Sequence, residues 1–177
     1  MTLFIVQFEI IKKDIIINKI FFMSNKYINI YNNLINITRN KDLYKNFTKQ
    51  DTFSDRLIFF LLHFAFFLKV FKKKEDKKIL QDIYDSLFRQ LELSIREIGY
   101  GDQTINKKMK EYLNLFYSMI GKIDKWENLS TQEQAKLLTF FLDNDADTSF
   151  LSDYFEKYRQ NLINNTLNSF IKGVVNH

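Results

Sequence analysis

Residues 57–71 read LIFFLLHFAFFLKVF, an apolar run broken only by His63 and Lys69. Successive residues of an α-helix are turned by about 100°, so a helix made of this run has no solvent side and needs neighbours all the way round. It is also too short for a bilayer, which takes about 20 residues to cross. The run therefore predicts a central helix buried inside a bundle. Thr52 and Asp55 ahead of it have the spacing of a capping box. Lys72, Lys73, Lys74, Lys77 and Lys78 behind it read as cations complementing the dipole at its C-terminus.

The rest of the chain supplies the cover. With no proline and four glycines in 177 residues, helices are seldom interrupted. Tyr27, Ile30, Tyr31 and Leu34 recur at helical spacing. Over residues 79–98, Leu80, Ile83, Tyr84, Leu87, Leu91, Ile95 and Ile98 share one face, and Asp85, Arg89, Glu92 and Arg96 line the other. Gly99 is placed to end that helix, Asp102 or Thr104 to cap the next, and Gly101 to allow a close backbone approach at the corner. The next helix presents Met109, Tyr112, Leu113, Phe116, Met119 and Ile120. Ser130 and Glu133 form a capping box for a helix through Leu142, and a last helix fills 150–171. No strand or hairpin pattern occurs. The expected fold is all-α, one compact soluble domain of about six helices over residues 24–177. Residues 1–23 read as an N-terminal extension, apolar but interrupted by Glu9, Lys12, Lys13, Asp14 and Lys19, with Met23 an alternative start that would place it upstream of the true one.

Little in the chain points to catalysis. The absence of cysteine removes disulfides, thiolate nucleophiles and Cys-based metal sites. Of two histidines, His177 is the last residue, and His63, inside the apolar helix, reads as a hydrogen-bonded core residue. No metalloprotease, nucleophile-elbow or dinucleotide motif is present; the glycines of Gly99-Tyr100-Gly101-Asp102 follow a helix, not a strand. The expectation is a binding protein, with no enzyme activity, cofactor or metal. Net charge is +5 with a pI near 9.2, which allows attraction to a phospholipid surface, RNA or an acidic partner. Specific DNA binding is not expected, because base-reading side chains are thin beyond Asn106.

Scarce residues sharpen this reading. Abundant Lys, Ile, Asn and Phe indicate AT-rich codon drift, and there are 21 Lys against five Arg. An Arg kept under such drift points to a need for its planar fork. Arg56, Arg89 and Arg96 are three of the five, and Gly99 and Gly101 are half of the glycines.

Two blocks carry a family likeness. In one, Arg96-Glu97 is followed by Gly99, Gly101 and Asp102 and then by the basic helix start Lys107-Lys108-Met109; in the other, Arg56 precedes His63 by seven residues in an apolar helix. With the Arg56–His63 block upstream and the two together spanning about 53–120, they resemble the ubiquinol–cytochrome c chaperone family. The chain departs from the family pattern at Asp55, where Gly is usual, at Tyr100, where Val is usual, and at Phe116-Tyr117-Ser118-Met119, where Phe-Tyr-Gly-Arg is typical. The resemblance implies a non-enzymatic assembly chaperone of ubiquinol–cytochrome c reductase (complex III) that holds newly made cytochrome b, with the ribosome and a helper assembly factor as further partners. It would work in the cytoplasm at the bacterial inner membrane, or on the matrix side in a mitochondrion. Under that reading Arg56, Arg89, Arg96, Glu97, Gly99, Tyr100, Gly101, Asp102, Lys107 and Lys108 would meet the partner, and Lys72, Lys73, Lys74, Lys77 and Lys78 would face membrane or ribosome. The alternative is a basic helical module that binds a membrane surface or RNA.

Overall fold

The computed structural model describes residues 26–45, 47, 52–142 and 146–174; the readings of residues 1–23 and of His177 fall outside them. Seven α-helices occur among the described residues: α1 (Ile28–Ile37), α2 (Phe53–Phe71), α3 (Lys77–Glu97), α4 (Asp102–Ile123), α5 (Thr131–Leu138), α6 (Thr148–Asn164) and α7 (Leu167–Lys172). Short 3-10 turns at Lys41–Tyr44 and Trp126–Asn128 follow α1 and α4. No strand occurs among these residues.

Helix α2 is the axis. Phe59 to Phe67 are all buried, nine consecutive positions, so every side of the helix is covered. Aromatic rings make the cover. Phe60 meets Tyr31 of α1, Phe64 stacks on Phe116 of α4 at 5.1 Å, and Phe66 stacks on Phe155 of α6 at 5.1 Å and meets Trp126 edge-on at 4.9 Å. Phe67 meets Phe170 of α7 edge-on at 5.4 Å. Such ring pairs add about 0.5–1.5 kcal/mol each beyond the area they bury. Both capping boxes are formed, Thr52 with Asp55 and Ser130 with Glu133. Asp55, the departure from the family glycine, is thus a helix-starting residue here: its carboxylate accepts the Thr52 backbone N–H at 3.0 Å and the Thr52 hydroxyl at 2.7 Å.

Several boundaries differ from the sequence expectation. The last helix is two helices, because Asn165 is extended (φ −105°, ψ 159°) and Thr166 caps α7 by accepting from the Ser169 N–H. The helix after Ser130 ends at Leu138, not Leu142, although Phe141 and Leu142 are still buried. Ile98, expected on the core face, is 54% exposed, since it lies past the end of α3 where the chain turns away. Lys77 and Lys78 do not end α2. They open α3, the dipole end that cations disfavour, with Asp76 as N-cap accepting the Lys78 N–H at 2.6 Å.

Candidate functional site

The α3–α4 corner is built by one glycine and one arginine. Gly99 has φ +95°, a conformation costly for any residue with a Cβ, and its N–H bonds the Arg96 carbonyl at 2.9 Å. Gly101 is ordinary: it is extended, and a Cβ there would meet nothing within 4 Å. The expected close approach at Gly101 is therefore absent. Asp102 is not the cap of α4 either. Gly101 takes that position without a side-chain bond, and Asp102, the first helical residue, turns its carboxylate to Arg96. Arg96 also donates from Nε and Nη2 to one Glu92 oxygen at 3.0 and 2.8 Å. Glu92 and then Asp102 hold the guanidinium pKa above its ordinary value. Arg96 thereby ties the last turn of α3 to the first turn of α4 at the surface.

Around the corner the side chains are open. Tyr100 is 43% exposed, with the Lys108 ammonium 5.0 Å from its ring centre. Glu97 and Lys107 are exposed, as is Arg89 two turns back along α3, and Arg89 makes no ion pair among the described residues. Arg56 is separate from the corner but near its end of α3. It stands in the first turn of α2 beside a groove of about 260 Å³ with Tyr31, Phe60, Leu91 and Ser94, and Tyr31 bonds Ser94 at 3.0 Å. Arg39 lines the same groove. The sequence reading passed over it, though the scarcity that singled out Arg56 applies to Arg39 equally.

The lysine run divides. Lys69, just upstream, donates to the carbonyls of Ile123 and Asp124 at 2.7 and 2.8 Å, and burial pulls its pKa down. Lys74 donates to the Ile163 carbonyl at 2.7 Å, and Lys73 pairs with Glu127 at 3.3 Å. Lys69 and Lys74 thus satisfy open carbonyls at the C-terminal ends of α4 and α6. Lys72, Lys77 and Lys78 are exposed, and their side chains make no hydrogen bond or ion pair among the described residues.

His63 is a core residue. Its ring is fully buried; Nδ1–H donates to the Phe59 carbonyl at 2.6 Å, and Nε2 accepts from the Tyr154 hydroxyl at 2.9 Å. Burial lowers its pKa to about 4. Among the described residues no group of three or more His, Cys, Asp or Glu is placed to hold a metal. No helix there is long and apolar enough to cross a membrane.

The chain is similar over its whole length to the crystal structure of the Cbp3 homolog from Brucella abortus, at 23% identity and a TM-score of 0.66, covering 98% of this chain and 96% of that one. At that identity the likeness speaks for the fold. No curated protein matches. The family model described as ubiquinol-cytochrome C chaperone matches residues 45–144, a stretch that holds α2 to α5, both arginine blocks and the whole corner. With more than half of its residues inside that match, the chain belongs to the ubiquinol-cytochrome C chaperone family.

Proposed function

We propose that the protein is a non-enzymatic assembly chaperone of complex III and that it binds newly made cytochrome b at the α3–α4 corner. The observation that carries this reading is Arg96. It lies inside the family match, it is exposed, and its carboxylate partners are themselves at the surface, with the Asp102 side chain 80% accessible. A guanidinium so placed can exchange an internal carboxylate for one on a partner at little desolvation cost. Arg89, Tyr100, Lys107 and Lys108 add an unpaired cation, an aromatic face and a basic helix start beside it, the residue types that anchor interfaces. Gly99 fixes the angle at which these are presented. Arg56 and Arg39 form a second point of contact through their groove.

The test is a pull-down of cytochrome b from cells that make it, with wild type and with Arg96→Ala and Asp102→Ala separately. The expected result is loss of cytochrome b capture and lower levels of the cytochrome bc complex with Arg96→Ala, and retained capture with Asp102→Ala, which frees the guanidinium, with unchanged melting curves in both. Full capture and normal complex levels with stable Arg96→Ala protein overturn the assignment to this corner.

A further inference from the structure

At the end of the bundle away from the corner, α2, α3 and α4 enclose an open groove of about 520 Å³. Its floor is apolar, made by Leu68, Leu80 and Ile120. One wall is a pair of tyrosines, Tyr84 and Tyr117, stacked with ring centres 6.5 Å apart and joined through their hydroxyls at 3.0 Å. Tyr117 is 58% exposed, so this wall runs from the core out to solvent.

The mouth is cationic. Lys72 and Lys77 both line it, and the side chains of both are without a hydrogen bond or ion pair among the described residues. The groove has one carboxylate, Asp124, and its charge is felt by Lys69, whose ammonium is bonded to the Ile123 and Asp124 carbonyls. The Lys72 and Lys77 ammonium groups are thus without a carboxylate partner at ion-pair distance, while the neighbouring Lys73 and Lys74 are occupied within the fold.

An apolar floor, a tyrosine wall and unpaired ammonium groups at the rim suit an amphiphile with an apolar tail and an anionic head. Tyrosine and lysine are the side chains that settle at the headgroup level of bilayers. A membrane-spanning protein segment fits less well, because its cytoplasmic flanks carry lysine and arginine, which this rim repels. We infer that the groove takes one acyl chain of an anionic phospholipid, with the phosphate held between Lys72 and Lys77. The inference does not depend on the client assigned above: the groove and the α3–α4 corner lie at opposite ends of α3, and either can fail alone.

The experiment uses the full chain and vesicles of phosphatidylcholine with and without phosphatidylglycerol, followed by native mass spectrometry for lipid retained per chain. The expected result is one phosphatidylglycerol per wild-type chain and none of the neutral lipid. Replacing Lys72→Ala and Lys77→Ala together lowers affinity for the anionic vesicles roughly 30-fold. The double change Lys136→Ala and Lys157→Ala, at exposed positions outside both the groove and the corner, removes the same charge elsewhere and leaves the retained lipid in place. Equal losses in the two double variants, or vesicle binding with no discrete lipid retained, overturn the site in favour of diffuse surface charge. A photo-crosslinking side chain in place of Gln81, at the groove edge, is expected to label lipid in membranes; labelling of a polypeptide instead overturns the choice of occupant. Cytochrome b pull-down by the Lys72 and Lys77 variant reads the client assignment separately.

Discussion

Two polar clusters in this molecule use the same groups to opposite ends. Beside α6, Arg159 donates two bonds to Glu156 at 2.9 and 2.7 Å and one to Glu127 at 3.2 Å, while the Trp126 indole N–H donates to Glu156 at 3.0 Å. Nearby on the same helix, Tyr154 closes onto His63. At the α3–α4 corner, Arg96 likewise spans two carboxylates. The Arg159 side chain is 13% exposed and the Arg96 side chain 39%, and the partner Asp102 is more open still. Removing water strengthens an ion pair and raises the penalty for breaking it, whereas an exposed pair contributes little to stability. The first cluster holds the fold together, and the second adds little to its stability.

The sharpest way to probe this contrast is acid. The folded pKa of His63, about 4, lies below the ordinary 6.5, so the unfolded chain takes up the proton first. Stability is flat above pH 6.5 and falls as pH drops towards 4, by about 3 kcal/mol at the end of that window. Chemical denaturation across this range should show the loss. The double change His63→Leu with Tyr154→Phe, which removes both partners of the bond, should flatten it. Next in size, Arg159→Ala should cost about 2 kcal/mol, between the exposed and buried limits for an ion pair, read as a lower Tm. Arg159 first of all holds the Glu156 carboxyl down to about 2. The stability this carboxylate confers above pH 4.5 is lost as pH falls towards 2, and the variant should lose less in that window.

At the corner the expected effects are smaller. Gly99→Ala forces a Cβ into the left-handed region and should cost about 1–2 kcal/mol, while Gly101→Ala should be neutral or slightly stabilising. Equal costs at the two positions would show that the turn is not set by Gly99. Smallest of all, Arg96→Ala should leave Tm unchanged in a thermal melt. A large drop there would erase the distinction between the two clusters.

Much of the architecture was legible in the sequence because its signals are local. The apolar run of α2, the face of α3 up to Ile95 and both capping boxes depend on residues within a turn or two of each other, and these formed as read; Ile98 alone of that face fell outside the helix. The split at Asn165–Thr166 was missed because no glycine or proline marks it, although Thr166 and Ser169 carry the cap spacing. The site was only half legible. Gly99 announces itself by type, but the Arg96–Asp102 bond and the fates of the lysines depend on partners in other elements. Lys69 reaches carbonyls 54 and 55 residues away, and no periodicity encodes that. This is also why five lysines that look alike in the sequence separate into two occupied inside the fold and three left free.

The central helix has a consequence for biosynthesis. Phe66 and Phe155 stack across 89 residues of chain, and α7 closes over Phe67 later still. At about 5–20 residues per second, a ribosome finishes α6 roughly 5–20 s after α2. For that interval nine consecutive core positions exist without one of their walls. A protein proposed to guard an unfinished apolar client thus begins its own life as one, and its yield should respond to the speed at which residues 72–155 are translated.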